Sequence, residues 1–289
     1  MAKKVTKIVI PAAGFGTRFL PVTKASPKEM LPIVDKPVIQ YIVEEAVASG
    51  IEEVVLITGS TKRPIEDHFD YNFELEELLK RSGKTEQYEE IRAISDMARF
   101  VYIRQREQLG NGHAVLQAKS VIGDSPFVVV WGDELFQANP PRIKQLIDAY
   151  NQHQTNIIMT YQSTDPKVTD LYAIAVGEKV DDRLIKLKSV IEKPGSSAIP
   201  PYAVSVGGYV FNPEVFDALE SITPGKNGEI WLVDAINQLA QNGSVLAYDV
   251  QNGRHYDCGN KLEYIKANIE FALQRPDIGE DLRKYLGKL

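Results

Sequence analysis

At 289 residues and 44% hydrophobic composition the chain can bury a sizeable core, and it fits one large α/β domain or one domain with a small appendage. Its 33 basic against 39 acidic side chains leave a net charge of −6 with no dense Lys/Arg cluster, which argues against nucleic-acid and membrane-surface partners. The single cysteine, Cys258, rules out an internal disulfide framework, and with no signal-peptide core and no apolar run of roughly eighteen residues the expected compartment is the cytoplasm.

In chain order, Lys7 to Pro11 is an apolar, β-branched run with the character of a buried strand. Ala12-Ala13-Gly14 then strips away side chains where the backbone must turn, and Phe15-Gly16-Thr17-Arg18 follows. Small residues let main-chain N–H groups reach phosphate oxygens. Arg18 adds a fixed fork of donors, and Lys28, in Pro27-Lys28-Glu29, adds a point charge, so this stretch suits a nucleoside triphosphate. No G-x-x-x-x-G-K-[ST] run occurs, and the third glycine of a dinucleotide fingerprint is replaced by Phe19, so neither familiar glycine loop applies. Val38 to Ser49 carries Ile39, Ile42, Val43, Ala46 and Val47 on one helical face and closes at Gly50; Glu53 to Thr58 reads as the next buried strand. Strand, loop, helix, strand is the rhythm of a parallel sheet with helical crossovers. Residues 69–98, rich in Glu, Lys and Arg, predict a helical insertion.

Val101 to Arg104 predicts a strand and His113 to Lys119 an inward-facing helix. Phe127 to Trp131 is apolar on both faces, as a central parallel strand should be, and ends in Gly132-Asp133-Glu134. Asn139-Pro140-Pro141 opens another helix, and Asn156 to Gln162 is strand-like. Beyond it come shorter strands over 173–176, 184–191 and 207–211, a helix over 230–241, and strand-like 254–256, all expected to extend the same sheet. The segment 261–289 begins with a helix whose stripe Leu262, Ile265, Ile269 and Leu273 needs a partner.

Ligands of open α/β sheets bind beyond the carboxyl ends of the strands, and three candidate segments fall there: the Gly14 loop, Gln105 to Gly112, and Gly132-Asp133-Glu134. Asp133 is placed to hold Mg²⁺ with triphosphate oxygens completing the shell, and Asp257 is a second candidate ligand. Gln105 and Gly110 suit a pyrimidine edge, and Glu192-Lys193 a sugar hydroxyl and a sugar phosphate. Taken singly, each of these also reads as an ordinary turn or a solvated loop. Cys258 has no adjacent base and reads as a structural thiol, and the four histidines show no metal-ligand spacing.

The ordered set Pro11-Ala12-Ala13-Gly14-x-Gly16-Thr17-Arg18, Pro27-Lys28-Glu29-Met30-Leu31-Pro32, Gln105 with Gly110-x-Gly112-His113-Ala114-Val115, Gly132-Asp133, Glu192-Lys193-Pro194, Gly228-Glu229-Ile230 and Tyr256-Asp257-Cys258-Gly259-Asn260 resembles the bacterial UTP:glucose-1-phosphate uridylyltransferases of the sugar-nucleotidyltransferase superfamily. The resemblance implies a single α/β domain with a Rossmann-like nucleotidyltransferase fold, its mostly parallel central sheet flanked by helices. It also implies Mg²⁺ dependence, UTP and a hexose 1-phosphate as substrates, and a homo-oligomer, dimer or tetramer. Carried over residue by residue, it implies catalytic roles for Arg18, Lys28, Asp133 and Lys193. Nucleotide contacts would come from Ala12, Ala13, Gly14, Gly16, Thr17, Gln105 and Gly110. Sugar contacts would come from Asp133, Ala173, Glu192, Lys193, Gly207 and Glu229, and metal ligation from Asp133 and Asp257. The chain departs from the family pattern at Ala173 (usually Gly), Gly208 (usually Arg), Trp231-Leu232-Val233 (usually Gln-Leu-Thr) and Glu134 (commonly Asp). These departures leave open another sugar 1-phosphate and a weakly active regulatory paralogue, and a thymidylyltransferase, which would share the glycine loop, also stays open.

Overall fold

The computed structural model describes residues 3–225 and 228–289. β1 (Lys7–Pro11) buries Ile8, Val9 and Ile10 completely. A hairpin of β2 (Pro32–Ile33) and β3 (Lys36–Pro37) leads into α1 (Val38–Ala48), which buries the apolar face expected of it. β4 (Glu53–Thr58) returns parallel to β1. The expected insertion is part of the crossover to β5 (Arg99–Arg104): α2 (Arg63–Phe69) leads into α3 (Phe73–Arg81) and α4 (Thr85–Asp96), the last two packed on each other and tied by Arg92 to buried Glu76 at 3.1 Å.

The helix expected from His113 begins earlier and breaks into α5 (Asn111–Leu116) and α6 (Lys119–Ile122), its start set by the Asn111 side chain accepting the Leu232 N–H. Fully buried β6 (Phe127–Val129) stops short of Trp131, and β7 (Glu134–Ala138) leaves the sheet. Then follow α7 (Arg142–His153), β8 (Asn156–Ser163), α8 (Val168–Leu171), β9 (Ala173–Lys179), β10 (Leu184–Glu192) and β11 (Tyr202–Phe211). The chain ends with α9 (Glu214–Ser221), α10 (Leu232–Gln241), β12 (Val245–Asp249), β13 (Gly253–Asp257), α11 (Lys261–Gln274) and α12 (Gly279–Leu286).

Nine strands form one sheet in the order β5-β4-β1-β6-β11-β8-β12-β10-β9. The Rossmann-like half, β5 to β6, is parallel throughout, as helical crossovers require. The expected parallel character stops there. β11 runs antiparallel to both β6 and β8, and β9 and β10 are joined by the short turn at 180–183, which forces antiparallel pairing; in this half only β8 and β12 are parallel. β9 also pairs with β11, so β11, β8, β12, β10 and β9 close on themselves.

Two further expectations are corrected. β13 does not join the main sheet but pairs with β7 as a two-stranded ribbon, because β7 has already turned away and offers it an edge; the register sets Asp257 opposite Glu134. α11 does not bury the stripe read from its periodicity, since Leu262 and Ile265 are 59% and 53% exposed. Its inward face lies one step around: the Tyr264 hydroxyl donates to the Pro32 carbonyl, Asn268 accepts the Val34 N–H, and Phe271 meets Tyr41 and Tyr256 edge-on. Among the described residues no helix is long and apolar enough to cross a membrane.

Candidate active site

Register brings the candidate segments to one level. Pro11 lies opposite Ile57, Thr58 opposite Arg104 and Val9 opposite Val129, so the segments after β1, β5 and β6 emerge side by side. β11 runs the other way past β6, with Tyr209 opposite Val129, which sets Gly207 beside Trp131 at that same level. Ser205, Ala173 and Glu192 then form a row across β11, β9 and β10. Between the two halves opens a cleft of about 610 Å³.

Arg18, Lys28, Asp133, Lys193, Ala13, Gly14, Gln105, Gly110, Ala173, Glu192, Gly207, Glu229 and Asp257 all line this cleft. Ala12, Gly16 and Thr17 do not. The Ala12 N–H is spent on the Ile57 carbonyl at 2.8 Å, so it cannot serve a phosphate. Gly16, at φ +66°, heads the turn that carries Arg18; a Cβ there would crowd Thr23 and Lys28 at 3.2 and 3.3 Å. Ala12 and Gly16 shape the loop in this way, and at Gly14 an added Cβ would meet nothing within 4 Å.

Charge is concentrated where the halves meet. Lys28 Nζ lies 2.6 Å from Asp133 Oδ2, and the Arg18 guanidinium reaches Asp133 at 4.0 Å and Asp257 at 3.7 Å. Burial pushes the Asp133 carboxyl up, but Lys28 and Arg18 override it and hold it below the ordinary range. Asp257 is raised, by burial and then by the Asp133 charge. Gly259 sits between them: a Cβ there would come within 2.6 Å of Asp133 Oδ2 and 2.9 Å of Asp257 Oδ1. Two carboxylates converging on cationic groups are a donor set that suits a hard divalent cation, which takes its remaining oxygens from phosphate and water. No group of three or more His, Cys, Asp or Glu poised for a metal occurs among the described residues.

Other contributors carry no local sequence signal. Glu29 and Lys62 pair at 2.8 Å in full burial beneath the Asp133 turn, where a Cβ on Gly132 would lie 3.1 Å from Glu29 Cγ. Glu134 lines the cleft and accepts the Gly207 N–H at 2.5 Å, while buried Arg142 donates to the carbonyls of Gly207 and Glu134 and pairs with Glu45 at 3.1 Å. The Gly207 peptide is thus gripped at both polar atoms where β11 passes from β9 to β6. Burial, then the neighbouring Asp133 charge, raises Glu134 to about 8. At position 208 an added Cβ would lie 3.0 Å from Met159, which occupies the space a longer side chain would need.

This combination, a glycine turn with paired cations on a parallel half-sheet and a carboxylate–lysine wall on an antiparallel one, is that of a nucleotidyl transferase. Residues 7–274 match the model of the nucleotidyl transferase family, and the chain belongs to that family, whose members generally use a divalent metal. The chain is 47% identical to the UTP–glucose-1-phosphate uridylyltransferase of Bacillus subtilis (strain 168), covering 98% of this chain and 97% of that one. It is 44% identical to the UTP–glucose-1-phosphate uridylyltransferase of Staphylococcus epidermidis over 99% of both. Among solved structures, the UTP-bound UGPase from Acinetobacter baumannii superposes with a TM-score of 0.90 at 38% identity, covering 99% of each chain. A UDP-glucose pyrophosphorylase complexed with UDP-glucose superposes with a TM-score of 0.82 at 38% identity, over 94% of this chain and 100% of that one.

Proposed function

We propose that this chain, as one catalytic domain, transfers the uridylyl group of UTP to glucose 1-phosphate, releasing UDP-glucose and pyrophosphate. The observation that carries this is one cleft holding a glycine turn with Arg18 and Lys28, two converging carboxylates and a carboxylate–lysine wall, in a chain 47% identical over 98% of its length to a UTP–glucose-1-phosphate uridylyltransferase.

The sugar phosphate oxygen attacks the α-phosphorus of UTP as the bond to the β-phosphate breaks and pyrophosphate leaves. The attacking oxygen is already anionic, so positioning and charge neutralisation suffice and no general base is required. Arg18 and Lys28 hold the triphosphate from the turn beside β1. Asp133 and Asp257 would hold Mg²⁺, which when bound would supply further charge neutralisation at the phosphates. Lys193 brings in the sugar phosphate, Glu192 and Glu229 take sugar hydroxyls, and the Ala173 and Gly207 backbones form the wall behind the ring. Gln105 and Gly110 meet the uracil edge. The working state is a cytoplasmic homo-oligomer, dimer or tetramer, without nucleic-acid or membrane partners.

The Ala173 methyl and the Met159-filled space at Gly208 favour one further possibility, that another hexose 1-phosphate is the better acceptor. Pyrophosphate release with UTP, Mg²⁺ and a panel of sugar 1-phosphates separates the two: glucose 1-phosphate should give the highest kcat/KM. Failure of every sugar to release pyrophosphate despite UTP binding would mark a regulatory protein, and faster turnover with dTTP a thymidylyltransferase.

A further inference from the structure

We infer that His113 is a positioning residue for base selection: its Nδ1 locks the Gln105 amide so that only Oε1 faces the nucleotide, admitting a pyrimidine with a ring N–H and rejecting one with a bare ring nitrogen. The inference rests on the uridylyl assignment above and adds an atom-level reason for it.

Gln105 is 3% exposed, lines the cleft, and is pinned at the end of β5 by its N–H bond to the Thr58 carbonyl. Its Nε2 lies 3.2 Å from the Gly110 carbonyl and 2.9 Å from His113 Nδ1. A carbonyl oxygen only accepts, so the group facing Gly110 must be the NH₂ and not the oxygen. Both amide protons are then committed, and Oε1, which takes no bond from any described residue, is the polar atom left for a ligand. Gly110 is itself closely packed: its φ is +95°, an added Cβ would lie 2.5 Å from the Ile230 carbonyl, and that carbonyl also accepts the Gly112 N–H.

The ring follows. Nδ1 must accept from Gln105, so the neutral imidazole carries its proton on Nε2. There it meets Gln117 at 3.1 Å, whose amide nitrogen also lies 3.3 Å from the His113 carbonyl. Two glutamine amides cannot both donate to one neutral ring. Gln105 is the more deeply buried and has the shorter contacts, so its bond to the ring is the one kept, and Gln117, at the end of a short helix, holds its amide nitrogen on the His113 carbonyl and yields the ring contact. Burial lowers the His113 pKa, which favours the neutral ring.

Uracil presents N3–H to Oε1, whereas cytosine presents a lone pair at that position. Turning the Gln105 amide to suit cytosine forfeits two buried hydrogen bonds, and sites built this way discriminate strongly because the polar groups are left unpaired.

The test is the kcat/KM ratio for UTP over CTP, by pyrophosphate release with glucose 1-phosphate and Mg²⁺, in wild type, His113→Leu and Gln105→Leu. His113→Leu should narrow the ratio roughly tenfold with the KM for glucose 1-phosphate unchanged. Should that variant not fold, His113→Asn and His113→Gln carry the test, since Asn places an oxygen near the Nδ1 position and should keep the ratio, while Gln places it near Nε2 and should lose it. A wild-type ratio in His113→Leu, alongside a collapsed ratio in Gln105→Leu, overturns the role of His113 and leaves the uridylyl assignment standing. An unchanged ratio in Gln105→Leu removes Gln105 from base reading and His113 with it. A wild-type enzyme indifferent to the base overturns both.

Discussion

Asp133 is the carboxylate on which the charged centre turns, with Lys28 at 2.6 Å and the Arg18 guanidinium at 4.0 Å. Asp133→Asn keeps the shape and removes the charge, so the fold should survive while turnover falls roughly a hundredfold or more, measured as kcat with saturating UTP and glucose 1-phosphate. A second residue-scale consequence concerns His255, whose ring lies among Phe136, Tyr161 and Tyr172 with Nε2 buried and unpartnered among the described residues. Burial, reinforced by Arg142, lowers its pKa to about 3. Because the unfolded ring binds a proton near the ordinary value of 6.5 and the folded ring does not, the stability tied to its neutral form is complete above about 6.5 and drains away as pH falls toward 3. His255→Phe should therefore flatten the acid limb of a denaturation-midpoint profile between those values. An acid limb as steep as that of the wild type would show that other groups set it.

At the scale of elements, the parallel half is legible because its parts are contiguous: β1 and its turn, or β6 and Asp133, put a buried strand and the cleft-lining residue after it into one readable segment. Glu134, Arg142 and Gly207 were not legible as a unit, since they join through a change of partner along β11 that no local period encodes. The same holds for β13, whose alternation marks a strand without saying which edge receives it, and for α11, which has apolar side chains on two faces. The Arg142 clamp should matter mainly to stability. Arg142→Met strands the Glu45 carboxylate in the interior and should cost about 3–5 kcal/mol, read from the shift in the urea midpoint. A shift under about 1 kcal/mol would mean that the buried pair contributes little beyond its volume.

For the whole molecule, the α11 stripe left in solvent is the feature to test. Leu262 and Ile265 have no buried role within the chain, so Leu262→Asp with Ile265→Asp should leave the monomer folded while lowering the assembled mass in light scattering. An unchanged mass would place the subunit contact elsewhere. Another property follows from the unbroken pairing of β6 with β11 through Tyr209 to Phe211. That ladder and the Arg142 grip on Gly207 cross from the parallel wall of the cleft to the antiparallel one and tie the two together. The two walls are laid down on a single strand, so the distance between them is a property of strand pairing, fixed as the chain folds.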